Sequence, residues 1–166
     1  IKNNFYWIAT DRLFEMKDHE IEIVDVSYGK DLIGASYIPA YNEYERLFKE
    51  GAFRIIHSDD TNTESGSGLV SQAPAYGESD FYALKNANID GIADPVTLSG
   101  RFDSTFKELN GLNVKDADKL IMDQLEERGN LFSRTSEMHS YPFCWRTGTP
   151  LIYLSLIHIS EPTRLD

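Results

Sequence analysis

The stretch IEIVDV, residues 21–26, carries the decision about the fold. Ile21 and Ile23 flank Glu22, Val24 and Val26 flank Asp25, and the apolar phase slips by one residue between the two pairs. A period of two marks a strand with one buried face, and a slip in that period marks a bulge or sharp twist. Such bends suit a sheet that curls on itself. Outward from this segment, the aromatic and β-branched run Phe5 to Thr10 predicts another strand, with a short helix over Asp11 to Met16. Tyr41 to Lys49 predicts a short helix ending at Gly51, and Phe53 to His57 and Leu69 to Gln72 predict two further strands. The clearest helix is predicted between Asn113, as cap, and Gly129, with Ala117, Leu120, Ile121 and Leu125 as one apolar stripe. Together these elements predict an α/β domain, built on a curled, barrel-like mixed sheet with short peripheral helices.

At 166 residues the chain fits one domain and can bury a core. Hydrophobic residues at 41% and charged residues at 26% place it among ordinary globular proteins rather than disordered or membrane ones. No apolar run reaches membrane-spanning length and no basic leader precedes an apolar stretch, which predicts a cytoplasmic setting and no membrane partner. Cys144 is the single cysteine, so no internal disulfide forms and no metal site is implied. A net charge of -11 opposes binding along a phosphate backbone, because such affinity grows with the phosphates neutralised by Lys and Arg. Contact with the end of a nucleic-acid strand remains compatible with it.

The segment most informative about chemistry is SGSGLVSQAPAYGESDF, residues 65–81. Gly66 and Gly68 allow a tight turn that brings backbone amides near a ligand, while Pro74 and Gly77 fix a second turn presenting Asp80. A plain β-turn is the competing reading of Gly66-Ser67-Gly68, which lacks the third glycine and the βαβ setting of a dinucleotide site. For Asp80 the competing reading is a helix N-cap before Phe81 to Leu84, a role that can coexist with ligand binding. Cys144 with His139 forms no recognisable nucleophilic pair, and His19 and His57 have no evident triad partners. The acidic runs Ser58 to Glu64 and Asp116 to Glu127 read as solvated faces.

This segment resembles the editing-domain motif of isoleucyl-tRNA synthetases, Gly-Thr-Gly-x-Val-His-x-Ala-Pro-x-x-Gly-x-x-Asp. The matching positions are Gly66, Ser67, Gly68, Leu69, Val70, Ser71, Gln72, Ala73 and Pro74, then Gly77 and Asp80. HSYPFCWRTGTPLIY, residues 139–153, resembles the family's return segment toward its synthetic domain. DGIADPV (90–96), Gly100-Arg101-Phe102 and VKDADKLIMDQLEERG (114–129) resemble the family as well. The resemblance implies that residues 1–138 are the editing domain of a class I synthetase, truncated at its N-terminal side, and that 139–153 lead back to the synthetic domain. Residues 154–166 are expected to be a non-native tail, since LSLIHISEPTR (154–164) resembles a translated transposase-type sequencing adapter.

The resemblance further implies hydrolysis of mischarged valyl-tRNA(Ile) at the aminoacyl ester. One methylene separates valine from isoleucine, worth only about 1–3 kcal/mol, so accurate charging needs a second pocket that accepts only the smaller product. Asp80 would hold the α-ammonium of the aminoacyl group, and Gly68, Leu69, Val70 and Ser71 would line the same substrate site. Ser71 stands where the family has histidine, which predicts weaker rejection of isoleucine. The family's threonine-rich peptide is expected before Phe5, and Thr61 and Thr63 do not substitute for it. The position of a second cysteine in some relatives' zinc ribbon is Thr147 here. No cofactor is implied for this segment, while ATP and magnesium would serve the parent enzyme's synthetic domain. The implied partners are the 3′ end of tRNA(Ile) and the remaining domains of the same synthetase, with a monomeric state expected. The alternatives are a valyl-tRNA synthetase editing domain removing threonine, and a non-catalytic aminoacyl-tRNA-binding module.

Overall fold

Residues 21–26 make no backbone–backbone hydrogen bond among the described residues, and this overturns the predicted sheet. A computed structural model of the chain describes residues 5–64, 66–134, 140 and 142–154. Among them there is no β-strand, only four isolated antiparallel bridges: Ser36 with Arg54, Val96 with Phe102, Arg101 with Asn113, and Phe143 with Pro150. The curled, barrel-like mixed sheet is therefore corrected to irregular chain carrying short helices. The physical reason is that a strand, unlike a helix, leaves its amides and carbonyls unsatisfied until a second strand lies beside it. The alternating apolar residues meet no such partner, and Ile23 is 60% exposed and Val26 75%. Residues 5–9 and 69–72 likewise form no strand, and 53–57 contribute a single bridge.

That bridge sits in a short pairing of residues 34–37 with 53–55, held by Gly34 N to Ile55 O at 2.9 Å, Ile55 N to Ala35 O at 2.8 Å and Tyr37 N to Phe53 O at 2.9 Å. Three 3₁₀ segments punctuate the same half of the chain: Thr10–Met16, Gly29–Leu32 and Glu45–Glu50. The last ends at Gly51 in the left-handed region, φ 84°, where a side chain would be disfavoured.

Two α-helices anchor the other half. Helix α1, Glu78–Asn86, starts after the extended Gly77 and carries Glu78 and Asp80 in its first turn, where carboxylates favour the helix dipole. It buries Phe81, Ala83 and Leu84. Helix α2, Val114–Glu127, is capped by the Asn113 side chain, which accepts from Lys115 N at 3.0 Å. The predicted stripe of α2 is only partly buried: Ala117 is fully enclosed, Ile121 and Leu125 are half-buried, and Leu120 is exposed. Leu47, Phe81, Ala83, Leu84, Ile89, Leu109 and Ala117 are among the few buried apolar residues, and they lie on the Glu45–Glu50 segment, on α1, at the start of α2 and at positions 89 and 109 between the helices. Gly91 is buried against that turn, since a Cβ there would lie 3.0 Å from Glu50 Cβ and 3.3 Å from Leu47 Cβ.

Candidate functional site

The glycine corner and the start of α1 bring the sequence-predicted residues into one continuous stretch. Gly66 and Gly68 have φ of 62° and 82°, in the left-handed region that admits glycine at little cost. Between Pro74 and Gly77 the chain turns tightly, with Tyr76 N and Gly77 N both donating to Ala73 O, at 2.8 and 3.0 Å. Gly77 O then accepts from Phe81 N at 3.0 Å, which opens α1. Gly77, not Asp80, is the N-cap, and Asp80 is the third residue of the helix.

From that position the half-buried Asp80 reaches back, its Oδ2 accepting from Ala73 N at 2.8 Å. A charged acceptor on a backbone amide is among the stronger hydrogen bonds, so the carboxylate is fixed against the turn it follows. Its other oxygen, Oδ1, has no donor among the described residues. The chain here therefore presents one held and one open carboxylate oxygen, a geometry able to accept from a cationic N–H donor. Leu69, Val70 and Ser71 are exposed, Gly68 is half-buried, and Ser65 lies outside the described residues.

A cavity of about 710 Å³ lies between residues 54–60 and one side of α1. Ile55, His57, Asp59, Ser79, Tyr82 and Asn86 contribute to its wall. Ser79 is the immediate neighbour of Asp80, whereas Asp80, Gly68, Leu69, Val70 and Ser71 line neither this cavity nor a smaller one of about 340 Å³ near Tyr41 and Arg128. His57 Nε2 and Asp59 Oδ1 are 2.9 Å apart, but both side chains are largely in solvent, where such pairs contribute little.

No family model matches the chain. Curated proteins do. It is 44% identical over 141 residues, 85% of its length, to an isoleucine–tRNA ligase of Bdellovibrio bacteriovorus. It is 42% identical over 144 residues to a cytoplasmic isoleucine–tRNA ligase of Saccharomyces cerevisiae, covering 84% of the chain, and 38% identical over 153 to that of Caenorhabditis elegans, covering 89%. The chain belongs to the isoleucine–tRNA ligase family. It spans about 13% of the length of each of these relatives.

Within this isoleucine–tRNA ligase segment the structure adds residues that the sequence motif did not single out. Tyr76 donates its hydroxyl to Asp94 Oδ1 at 2.9 Å and accepts from Val96 N at 3.2 Å, tying the corner to residues 94–96. Burial first, and then the Asp94 carboxylate, raise the Tyr76 hydroxyl pKa well above its ordinary value. Gln72 carries a buried Oε1 with no hydrogen-bond partner among the described residues. Arg12, distant in sequence, donates Nε to Gly66 O at 3.1 Å and NH1 to Glu64 O at 3.0 Å. Only a tertiary contact reveals it, because nothing local to Arg12 signals a partner more than fifty residues away.

Cys144 occupies a turn of the 142–151 hairpin, where Cys144 N donates to Thr149 O and Gly148 N to Cys144 O, both at 2.8 Å. Its thiol pKa is lowered, first by the Thr147 hydroxyl and then by the backbone of Thr147 and Arg146. His139, whose pairing with Cys144 the sequence does not support, and residues 155–166 of the expected non-native tail 154–166 lie outside the described residues. No helix among the described residues is long and apolar enough to cross a membrane.

Proposed function

We propose that this segment is the proofreading part of an isoleucine–tRNA ligase and hydrolyses the ester of valyl-tRNA(Ile). The observation that carries the reading is Asp80, whose carboxylate is held by the Ala73 amide at the end of the family motif. An esterified amino acid keeps its ammonium and has lost its carboxylate, so one fixed anion both selects it and orients the carbonyl. Water attacks the ester carbonyl, the bond to the ribose oxygen breaks, and free valine and the ribose hydroxyl leave. Backbone amides of the Gly66–Val70 segment are the donors available to the developing oxyanion.

The partner in this reading is the 3′ end of tRNA(Ile), a strand end suited to a chain of net charge -11. The remaining parts of the ligase supply the grip on the rest of the RNA, and ATP and magnesium belong to synthesis elsewhere in that enzyme. The setting is the cytoplasm. Exposure of Leu69, Val70 and Ser71 favours a second reading, in which the segment binds aminoacyl-tRNA without cleaving it.

Timing the deacylation of valyl-, threonyl- and isoleucyl-tRNA in a full-length isoleucine–tRNA ligase carrying this segment separates these readings. Valyl-tRNA should be hydrolysed fastest, and Asp80→Ala should slow it about ten- to a hundredfold, the loss of one charge-assisted contact. Binding without hydrolysis of any ester supports the second reading. Unchanged rates in Asp80→Ala remove that carboxylate from the reaction.

A further inference from the structure

The glycine corner does not stand by itself. It rests on residues 9–12, and the contacts there are of two independent kinds. Arg12 spreads its guanidinium across two carbonyls of the corner, Nε on Gly66 O and NH1 on Glu64 O. The third nitrogen, NH2, pairs with Glu15, and the guanidinium carbon lies 4.5 Å from the Phe14 ring centroid. The side chain is 13% exposed, so this is an enclosed fork rather than a surface charge. Beside it, Ala9 N donates to Ser67 O at 2.7 Å, and a Cβ added to Gly68 would come 2.5 Å from Ala9 Cβ. The Ala9 methyl closes the space over Gly68, and nothing larger than glycine fits without displacement.

We infer that Arg12 is a positioning residue for the Gly66–Val70 segment, holding its backbone amides where the carbonyl of an aminoacyl ester is polarised. The inference rests on the editing reading of this corner. A planar guanidinium can bridge two carbonyls while a third N–H group keeps a carboxylate; a lysine ammonium keeps the charge but cannot span both. Charge and fork geometry are therefore separable by substitution.

The test measures two quantities in Arg12→Gln and Arg12→Lys. The first is amide hydrogen exchange of the present chain at Ala9, whose N–H is bonded to Ser67 O of the corner, with the amides of α2 as reference. The second is kcat and KM for valyl-tRNA in a full-length isoleucine–tRNA ligase carrying the same changes. Both variants should speed exchange at Ala9 about tenfold or more with α2 unaffected, and lower kcat about tenfold with KM little changed. Arg46→Gln, an exposed arginine outside the corner, should change neither. Unaltered exchange at Ala9 overturns the inference, as does a loosened corner with an undiminished kcat. Loss of protection throughout α2 in both variants also overturns it, because Arg12 would then hold the whole fold. If the unsubstituted ligase hydrolyses no ester, the editing reading fails and the catalytic half of the inference with it. The exchange data still decide whether Arg12 fixes the corner.

Discussion

Residues 5–57 and residues 73–127 answer the same demand in different ways. Both must satisfy backbone amides and carbonyls and shelter apolar side chains. The later region does so mainly within short distances: α1 and α2 bond internally, Asn113 caps one, and the turn at Ala73 leads into the other. The earlier region relies on 3₁₀ segments and one short pairing, and leaves Ile21, Ile23, Val24 and Val26 exposed. A helix carries its own hydrogen-bond partners and a strand borrows them. Hydrophobic alternation is thus a statement about a surface that wants covering, and the covering element must come from elsewhere.

The sharpest way to break this comparison is at the two regions' most unequal side chains. Leu109, in the later region, is 3% exposed, and Leu109→Ala should lower stability by about 2–5 kcal/mol in a denaturant titration. Val26→Ser, at the exposed alternating segment, should stay within about 0.5 kcal/mol. Equal losses would mean that residues 21–26 are packed in solution. Next in size, Asn113→Ala should cost about 1 kcal/mol and reduce helical circular dichroism, since Lys115 N loses its acceptor.

The smallest effect is alkaline. Tyr37, Tyr41, Tyr44 and Tyr76 all have raised hydroxyl pKa values, with burial the first cause in each. The folded chain holds these protons more tightly than the unfolded chain, so their contribution is complete below the ordinary value of 10.0 and declines as pH rises beyond it. Tyr76→Phe should flatten part of that decline, measured as the denaturation midpoint from about pH 9 to pH 12. A slope identical to that of the unsubstituted chain would show that Tyr76 titrates alike in both states.

Legibility in the sequence follows the same physical division. Helix α2 and its cap were readable because Asn113, the acidic first turn and the apolar spacing lie within one short window. The end of the Glu45–Glu50 turn at Gly51 was readable for the same reason. The curled sheet was not, because IEIVDV specifies a face and not the strand that would meet it. At the candidate site the glycine turns and the Asp80 corner were legible as a motif. The Asp80 bond to Ala73, the Tyr76 bridge to Asp94 and the Arg12 fork were not, since each depends on how separate turns approach one another.

Asn113 belongs to two structures at once. Its backbone bridges to Arg101, while its side chain closes the first turn of α2 and its carbonyl accepts from Ala117 N at 3.0 Å. The ribbon before it and the coil after it share a clasp, so neither can be undone alone without releasing the other. Local opening in this part of the molecule should then come as one event spanning residues 95–127, not as the fraying of a helix end.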